Sequence, residues 1–419
     1  MTFIMTGMFF LLLALSVPVG YGLIVAAGSA ILINGGQPTV LAVVKLFQPT
    51  QSFPLLAIPF FILSGSLMMS GTLGQKLVSF AAALVGRFHG GIGQVTVVGC
   101  TIFGGVSGSA VAEASALGSM LIPWQKKEGY PAGFAAAVTA ASAVIAGLIP
   151  PSIALILYST VSNVSIAALF SAAILPGLLL AGGYMTVCYV SGRVRGFPRL
   201  GKEAGLASLL PTLKSALPAL LMPLFIVVLL RAGIATPTEV SVIAVFYALV
   251  VSTVFYRDLT ITRLFHALKD TILTTGIVML VILASNLVGH VLITERIPAT
   301  VATWSMETLK EPFLIILMMN LIMLVVGMFL DLPAAILLLG PTFVAIGNAI
   351  GMDLVQMGVM ITVNLSIGLF TPPIGTTLFV AAAIAKVPIG TVVKELWPFY
   401  LVAAGVLIIV SYIPFLTFY

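Results

Sequence analysis

Two adjacent prolines occur twice in this sequence, each time in the middle of an apolar run. The first pair lies in AGLIPPSIALIL (146–157) and the second in GLFTPPIGTTLF (368–379). Proline removes a backbone donor and clashes with the preceding turn, which costs about 3 kcal/mol inside a helix. A helix broken at membrane depth leaves carbonyl and amide groups that must be covered by protein or bind a ligand. Freed carbonyls suit a cation, and the amides at a half-helix N-terminus suit an anion.

An apolar segment with polar residues at its centre precedes each Pro-Pro pair. The sequence VSGS (106–109) lies in the middle of segment 92–123, flanked by two arms of about 14 residues, each shorter than the roughly 20 residues that a membrane span needs. Asp331 lies 222 residues after Ser109, in the equivalent segment 314–345. We predict a re-entrant helical hairpin in each segment, with two polar tips facing two breaks around one central site. The alternative is a simple proline kink, whose freed groups are satisfied by neighbouring helices.

The composition is that of a polytopic membrane protein. Of the 419 residues, 60% are hydrophobic and 7% are charged, whereas soluble domains carry about 25% charged residues. The first apolar run, Phe3 to Ile33, is too long for a signal peptide and is predicted to be a retained span. The net charge of +6 comes from short basic loops and does not indicate nucleic-acid binding. Cys100 and Cys188 lack metal-site spacing and are expected in the core.

Lysine and arginine residues predict which loops face the cytoplasm. One basic loop covers 193–214 and another covers 257–269, with two apolar runs between them. Two spans return the chain to the same side, so both loops can be cytoplasmic. Two further runs lead back from the first loop to Lys126-Lys127, which is then cytoplasmic as well. We therefore predict that hairpin 92–123 enters the membrane from the cytoplasm.

The sequence contains an internal repeat with an offset of 222 residues. Five landmarks coincide at this offset without a gap: Pro150-Pro151 with Pro372-Pro373, Pro176 with Pro398, Gly129 with Gly351, Gly118 with Gly340, and Ser109 with Asp331. Glycine and proline matches occur by chance in an apolar chain, but five at one offset favour a repeat.

The repeat predicts the organisation of the whole chain. We expect a first unit at 1–190 and a second at 237–419, with broken helices at 133–163 and 354–386. Residues 191–236 would hold a cytoplasmic basic loop and one additional span, which inverts the second unit. The predicted fold is an all-α polytopic membrane protein with an inverted repeat, two re-entrant hairpins and two Pro-Pro broken helices. Such repeats are typical of secondary transporters.

Several stretches resemble the large membrane subunit of tripartite ATP-independent periplasmic (TRAP) transporters. They are FGGVSGSAVAEASALGSMLIP, GYPAGFAAAVTAASAVIAGLIPPSIALILYSTVSNVSIAALFSAAILPG, GIATPTE, GMFLDLPAAILLLGP and NLSIGLFTPPIGTTLFVAAAIA. The resemblance implies a sodium-driven importer of organic acids in the bacterial inner membrane, working by an elevator mechanism. It also implies two partners, a small four-helix membrane subunit and a soluble periplasmic binding protein, neither of them fused to this chain.

The resemblance implies particular site residues as well. The first sodium site would comprise Ser107, Gly108, Ser109, Gly147, Ile149 and Pro150, and the second Gly327, Asp331, Phe370, Thr371 and Ile374. The substrate carboxylate would lie near Ser152, Asn364 and Thr376. Sodium is a hard cation that prefers oxygen ligands, and no other cofactor is implied. Glu113 stands where we expect a small or hydroxyl residue; helix-dipole complementation and a functional role both fit it.

Two other function classes are weighed against transport. An intramembrane serine protease using Ser107 or Ser109 would need a partner His or Lys at matching depth, and neither hairpin nor break offers one, so we predict no enzyme activity. GFPRLGKE (196–203) fails as a nucleotide-binding loop, because Glu203 replaces the required Ser or Thr.

The alternative within the same fold is a stand-alone sodium-coupled dicarboxylate symporter, which would transport without a binding protein. The sequence does not distinguish sialic acids, C4-dicarboxylates and sugar acids as substrates.

Overall fold

The computed structural model describes residues 1–34, 39–69, 71–200 and 206–417. Residues 201–203, the end of the GFPRLGKE motif, lie outside this part of the chain. The described chain is helical, with short 3₁₀ turns and one π turn between the main helices. In chain order these helices are α1 (Thr2–Ala14), α2 (Val19–Asn34), α3 (Thr39–Phe47), α4 (Ala57–Met69), α5 (Leu73–Val85), α6 (Gly91–Ser107), α7 (Ala110–Lys127), α8 (Ala132–Ala143), α9 (Ile153–Ser162), α10 (Ile166–Arg195), α11 (Leu206–Arg231), α12 (Pro237–Val250), α13 (Ile261–Thr294), α14 (Ile297–Thr308), α15 (Pro312–Gly327), α16 (Leu332–Ala349), α17 (Leu354–Gly368), α18 (Thr376–Ala385) and α19 (Ile389–Tyr412).

Six helices in the described chain are long and apolar enough to cross a membrane. They are Ile166–Arg195, Ser208–Arg231, Pro237–Phe255, Ile261–Thr294, Leu332–Ala349 and Ile389–Tyr412. A seventh span results if Val40–Gln51 and Phe53–Met69, which meet at 60°, cross together. The predicted all-α polytopic membrane fold is confirmed.

The first apolar run forms two helices, so the prediction of one span from Phe3 to Ile33 was wrong. Helices α1 and α2 have 13 and 16 residues and pack against each other. Between them Ser16 takes a left-handed conformation (φ 61°) and Pro18 precedes the first turn of α2. Proline cannot donate a helical hydrogen bond, and a left-handed residue ends the helix before it.

Each predicted hairpin segment contains two helices that pack on each other. Helices α6 and α7 are joined by Gly108 and Ser109, and α15 and α16 are joined by residues 328–331. Helices α7 and α16 have 18 residues each and begin 222 residues apart. Helix α16 also qualifies as a span by length, at about 27 Å for its 18 residues. Entry and exit on the same side of the membrane stay a prediction for both hairpins.

Each Pro-Pro pair separates two short helices. Helix α8 continues in a 3₁₀ turn to Gly147, and residues 148–152 separate this turn from α9. In the second unit, residues 369–375 separate α17 from α18. Helix α9 packs on α16, and α18 packs on α7. The half-helix after each break thus packs against the hairpin of the other predicted unit. The inverted orientation of the two units stays a prediction.

The remaining long helices pack around this centre. Helix α4 packs on α12 and α13, α2 packs on α13, and α11 packs on α5 and α12. Their contacts with the hairpins involve close backbone approach: a Cβ on Gly65 of α4 would lie 2.8 Å from the carbonyl oxygen of Val106. Small residues at such crossings let membrane helices approach closely.

Candidate ion and substrate site

The first hairpin tip consists of Ser107, Gly108 and Ser109. Gly108 adopts a left-handed conformation (φ 61°), which side chains disfavour. A Cβ on Gly108 would lie 2.4 Å from the carbonyl oxygen of Pro151. The tip backbone therefore lies directly against the first break, which requires glycine at this position. Ser109 caps α7, with its Oγ accepting from the amide of Ala112 at 3.5 Å.

The first break is closed by its own hydrogen bonds. The Ser152 hydroxyl donates to the carbonyl oxygen of Gly147 at 2.6 Å, and its oxygen accepts from the amide of Leu155 at 3.3 Å. Ser152 and Pro150 are buried, while Ile149 is partly exposed. In this arrangement Ser152 acts as the N-cap of α9. Its role in substrate binding stays a prediction.

The second tip packs on the second break through backbone groups. The amide of Ile374 donates to the carbonyl oxygen of Met328 at 3.2 Å. A Cβ on Gly368 would lie 2.4 Å from the carbonyl oxygen of Gly327, so these two glycines touch. Asp331 begins α16 as its N-cap residue but makes no side-chain capping bond, and it is exposed. Its carboxylate is therefore available for a ligand at this tip.

Some of the oxygens freed at the second break already have protein donors. The Tyr400 hydroxyl donates to the carbonyl oxygen of Phe370 at 2.8 Å, and their rings stack with centroids 5.1 Å apart. The Thr371 hydroxyl donates to the carbonyl oxygen of Ile367 at 2.6 Å. A carbonyl oxygen has two lone pairs, so Phe370 can accept this bond and still contact a cation.

The two tip–break pairs meet along α17. A Cβ on Gly147 would lie 3.2 Å from Ser366 Oγ and 4.0 Å from Leu332 Cδ1, at the start of α16. Asn364, two residues before Ser366, donates its amide to Asn320 Oδ1 at 2.8 Å and to the Asn320 carbonyl oxygen at 2.9 Å. The structure thus brings the predicted residues of both units to neighbouring turns of one helix.

Several buried oxygens at these tips and breaks have no hydrogen-bond partner. They include Ser107 Oγ, Ser366 Oγ, Thr376 Oγ1 and Asn364 Oδ1. A buried polar group left unpaired costs about 1–3 kcal/mol, so these oxygens favour a bound ion, a polar ligand or water. In the described residues, no three His, Cys, Asp or Glu side chains group as metal ligands. A cation here would rely mainly on hydroxyl and carbonyl oxygens.

The two breaks differ in exposure. Pro151 and Ser152 are buried, whereas Pro373 and Ile374 are exposed, with Ile374 at 49%. Asp331 on the neighbouring tip is exposed as well. The second half of the candidate site is therefore open in this conformation, and the first half is covered by protein.

Sequence reasoning missed Tyr400, Asn320 and Ser366 as neighbours of the site. Tyr400 and Asn320 are polar residues within apolar helical runs, α19 and α15, which is a recognisable signal. Their partners depend on which helices pack together, and the sequence pattern did not contain that information.

The chain matches the sequence profile of the family described as "Tripartite ATP-independent periplasmic transporter, DctM component" over residues 6–416. It is 50% identical to an uncharacterised protein, y4mL, of Sinorhizobium fredii over all of both chains. It is 36% identical to the C4-dicarboxylate TRAP transporter large permease protein DctM of Pseudomonas aeruginosa, covering 88% of this chain and 87% of that one. It is 35% identical to the sialic acid TRAP transporter large permease protein SiaM of Vibrio cholerae, covering 96% and 94%.

A solved structure has a similar fold. The YdaH transporter of Alcanivorax borkumensis, described as having an unusual topology, superposes with a TM-score of 0.62 at 14% identity, covering 90% of this chain and 88% of that one. At this identity the similarity supports the fold alone. The match over 6–416 and the two named relatives show that this chain is a multi-pass inner-membrane protein, not an enzyme, and that it belongs to the family of TRAP transporter large permeases.

Proposed function

We propose that this permease imports a small organic acid by sodium-coupled transport and receives it from a periplasmic binding protein. The observation that carries the proposal is the meeting of two tip–break pairs along α17, with buried hydroxyls that lack partners. The two relatives named for substrates handle a C4-dicarboxylate and a sialic acid. Both substrates carry a carboxylate, which is the group that we expect this site to recognise.

Sodium would occupy two positions, one at each tip. Ser107, with its free Oγ, and the carbonyl oxygens around Gly147 provide hard ligands for the first ion. Asp331 and the carbonyl oxygen of Phe370 provide them for the second. The remaining members of the two predicted ion sites are backbone positions at the same tips and breaks.

The substrate carboxylate would bind between the tips, near Thr376 and Asn364. Thr376 is the first residue of α18, and its buried Oγ1 has no partner. The first amides of a helix and its dipole favour an anion. The Ser152 hydroxyl would have to leave the Gly147 carbonyl oxygen before it could bind substrate.

Two partners complete the proposed transporter. Large permeases of the TRAP family work with a periplasmic binding protein and usually with a small membrane subunit. We expect both to associate with this chain as separate proteins. A stand-alone symporter remains the second candidate, since nothing in the site itself requires a delivered substrate.

The proposed motion is an elevator movement of the hairpins and broken helices, α6–α9 and α15–α18. Cross-packing of α9 on α16 and of α18 on α7 ties these elements into one body. The helices α4 and α11 would belong to the scaffold. Where they meet the first hairpin, Gly65 lies against Val106 and Gly105 lies against Pro223. Small residues at these contacts favour sliding of one surface over the other.

Uptake into proteoliposomes tests the proposal. The permease is reconstituted with its two partners, and uptake of a panel of labelled organic acids is driven by an inward sodium gradient. We expect uptake to rise with sodium with a Hill coefficient above 1, as two ion sites require, and to need the binding protein. Full uptake in choline buffer would exclude sodium coupling, and full uptake without the binding protein would favour the symporter.

A further inference from the structure

A cavity of about 410 Å³ lies between α1 and the second hairpin tip. One wall is a face of α1 that includes Phe9 and Leu13. The opposite wall includes Phe329 and Leu330, the two residues before Asp331. Helix α1 packs mainly on α2, and α15 packs mainly on α17. The cavity therefore separates α1 from the tip that carries the second half of the candidate site.

The cavity extends from the surface of the protein into its interior. At the surface it is lined by Phe10, Val325 and Phe329, which are 61%, 58% and 46% exposed. In the interior it is lined by Leu23 and Val288, which are 3% and 1% exposed. All of these side chains belong to apolar helices of a multi-pass membrane protein, or to the tip between two of them. The mouth of the cavity therefore opens towards the lipid.

The chemistry of the lining favours an apolar occupant. Of the described residues that line the cavity, all except Thr6 are apolar. Apolar cavities of about 150 Å³ stay free of water in proteins and bind apolar molecules such as benzene. An empty cavity would also deprive its walls of van der Waals contacts on one side. The apolar molecules that surround the mouth are the hydrocarbon chains of the bilayer.

The dimensions of the cavity suit an extended hydrocarbon chain better than a helix of another protein. Its wall on α1 reaches from Met5 to Leu13, a length of about 12 Å. The mean cross-section is then about 35 Å², whereas a helix with its side chains needs about 80–110 Å². We propose that one acyl chain of a membrane phospholipid occupies this cavity and packs against the second hairpin tip. This binding site depends neither on the transported substrate nor on sodium.

Photolabelling in vesicles tests the proposal. The permease is reconstituted into vesicles of phosphatidylcholine, part of which carries a diazirine in the middle of one acyl chain, and the labelled residues are identified by mass spectrometry after illumination. Leu11 is exposed on α1 and should be labelled by the surrounding bilayer in any case. We expect adducts also on Leu23, Val288 and Leu330, which are buried residues of the cavity. Labelling of Leu11 without adducts on any of these three would overturn the proposal.

A matched pair of variants tests whether the chain enters through this cavity. Leu13→Trp adds bulk to a wall of the cavity, while Leu11→Trp makes the same change on the same helix at an exposed position that is not among the described residues of the lining. We expect the adducts on the three buried residues to be lost in Leu13→Trp and retained in Leu11→Trp. Equal labelling in both variants would show that the lipid reaches these residues by another route and would overturn the proposal. The wild-type result decides the proposal by itself if Leu13→Trp does not fold. A fatty acid with a diazirine that labels the three residues where the phosphatidylcholine does not would exclude a phospholipid chain.

Discussion

The two hairpin tips differ in the residue that determines their contacts. Gly108 allows the first tip to touch the Pro151 carbonyl oxygen, while Asp331 brings a carboxylate to the exposed second tip. At the repeat offset of 222 residues, Gly108 corresponds to position 330, which directly precedes Asp331. A tip that is closed by backbone contact and a tip that carries a charge are expected to respond differently to substitution.

Replacing Asp331 should weaken sodium dependence much more than folding. The side chain makes no capping hydrogen bond and is exposed, so Asp331→Ala removes a predicted ion ligand without removing a cap from α16. We expect the sodium concentration for half-maximal uptake to rise about tenfold, which corresponds to about 1.4 kcal/mol of binding free energy. Thermal melting should change little. The exposed acid Asp270, changed to Asn, is the control; an unchanged sodium dependence in Asp331→Ala would remove this residue from the site.

Replacing Gly108 should damage the first tip. Gly108 and Gly351 have similar left-handed conformations (φ 61° and 69°), but a Cβ at 351 meets nothing within 4 Å. Gly351→Ala therefore bears only the backbone cost of about 1–2 kcal/mol. Gly108→Ala adds the clash with Pro151, and overpacking typically costs a further 1–3 kcal/mol or so. Melting temperature and uptake should both be lower in Gly108→Ala; equal effects in the two variants would mean that the tip does not lie against the break.

At the scale of helices, the strongest predictions came from residues that interrupt a pattern. The Pro-Pro pairs and the short arms around VSGS indicated where helices end, and α7, α8, α16 and α17 begin at the expected offset. The split between α1 and α2 was missed, although Pro18 was a visible signal for it. The bonds from Ser152 to Gly147 and from Tyr400 to Phe370 could not be predicted, because they depend on loop conformation and helix packing.

Cysteine labelling tests the orientation of the hairpins. In a background without Cys100 and Cys188, single cysteines replacing Arg87 and Lys127 should react with an impermeant reagent from the cytoplasm. Cysteines replacing Lys310 and Gly351 should react from the outside. This pattern follows from the basic loops and from the additional crossing between the two units.

The depth of the first tip needs a separate measurement, because two ordinary spans would give the same result for positions 87 and 127. A cysteine replacing Ser109 should resist the reagent from both sides or react only when substrate is present. Free reaction from the outside in every condition would contradict a re-entrant hairpin.

At the scale of the whole molecule, the chain divides into elements that carry the site and elements that surround it. The half-helices and hairpins pack across the two predicted units, whereas α12 packs mainly on α4, and α13 packs on α2 and α4 as well as on the second hairpin helix α16. Hydrophobic mismatch cannot move a site across a membrane, since modest helix tilts and bilayer deformation are enough to compensate for the mismatch. Transport by sliding needs a surface between the elements that carry the site and those that surround it, and this surface must stay packed while it shifts. The contact of Gly105 with Pro223 lies on this surface.

Two disulfides distinguish sliding of the whole body from local gating. A Cβ on Gly105 would lie 2.9 Å from Pro223 Cβ, so cysteines at these positions can be joined after a small adjustment and would fix α6 to the scaffold helix α11. We expect oxidation of this pair to abolish uptake and reduction to restore it.

The matched control pair is Gly118 and Thr139, which would join α7 to α8 within the proposed moving body. A Cβ on Gly118 would lie 3.2 Å from Thr139 Cγ2. Oxidation of the second pair should leave most uptake intact, because it links parts that move together. Equal inactivation by both crosslinks would favour opening and closing within the hairpins over movement of the body as a unit.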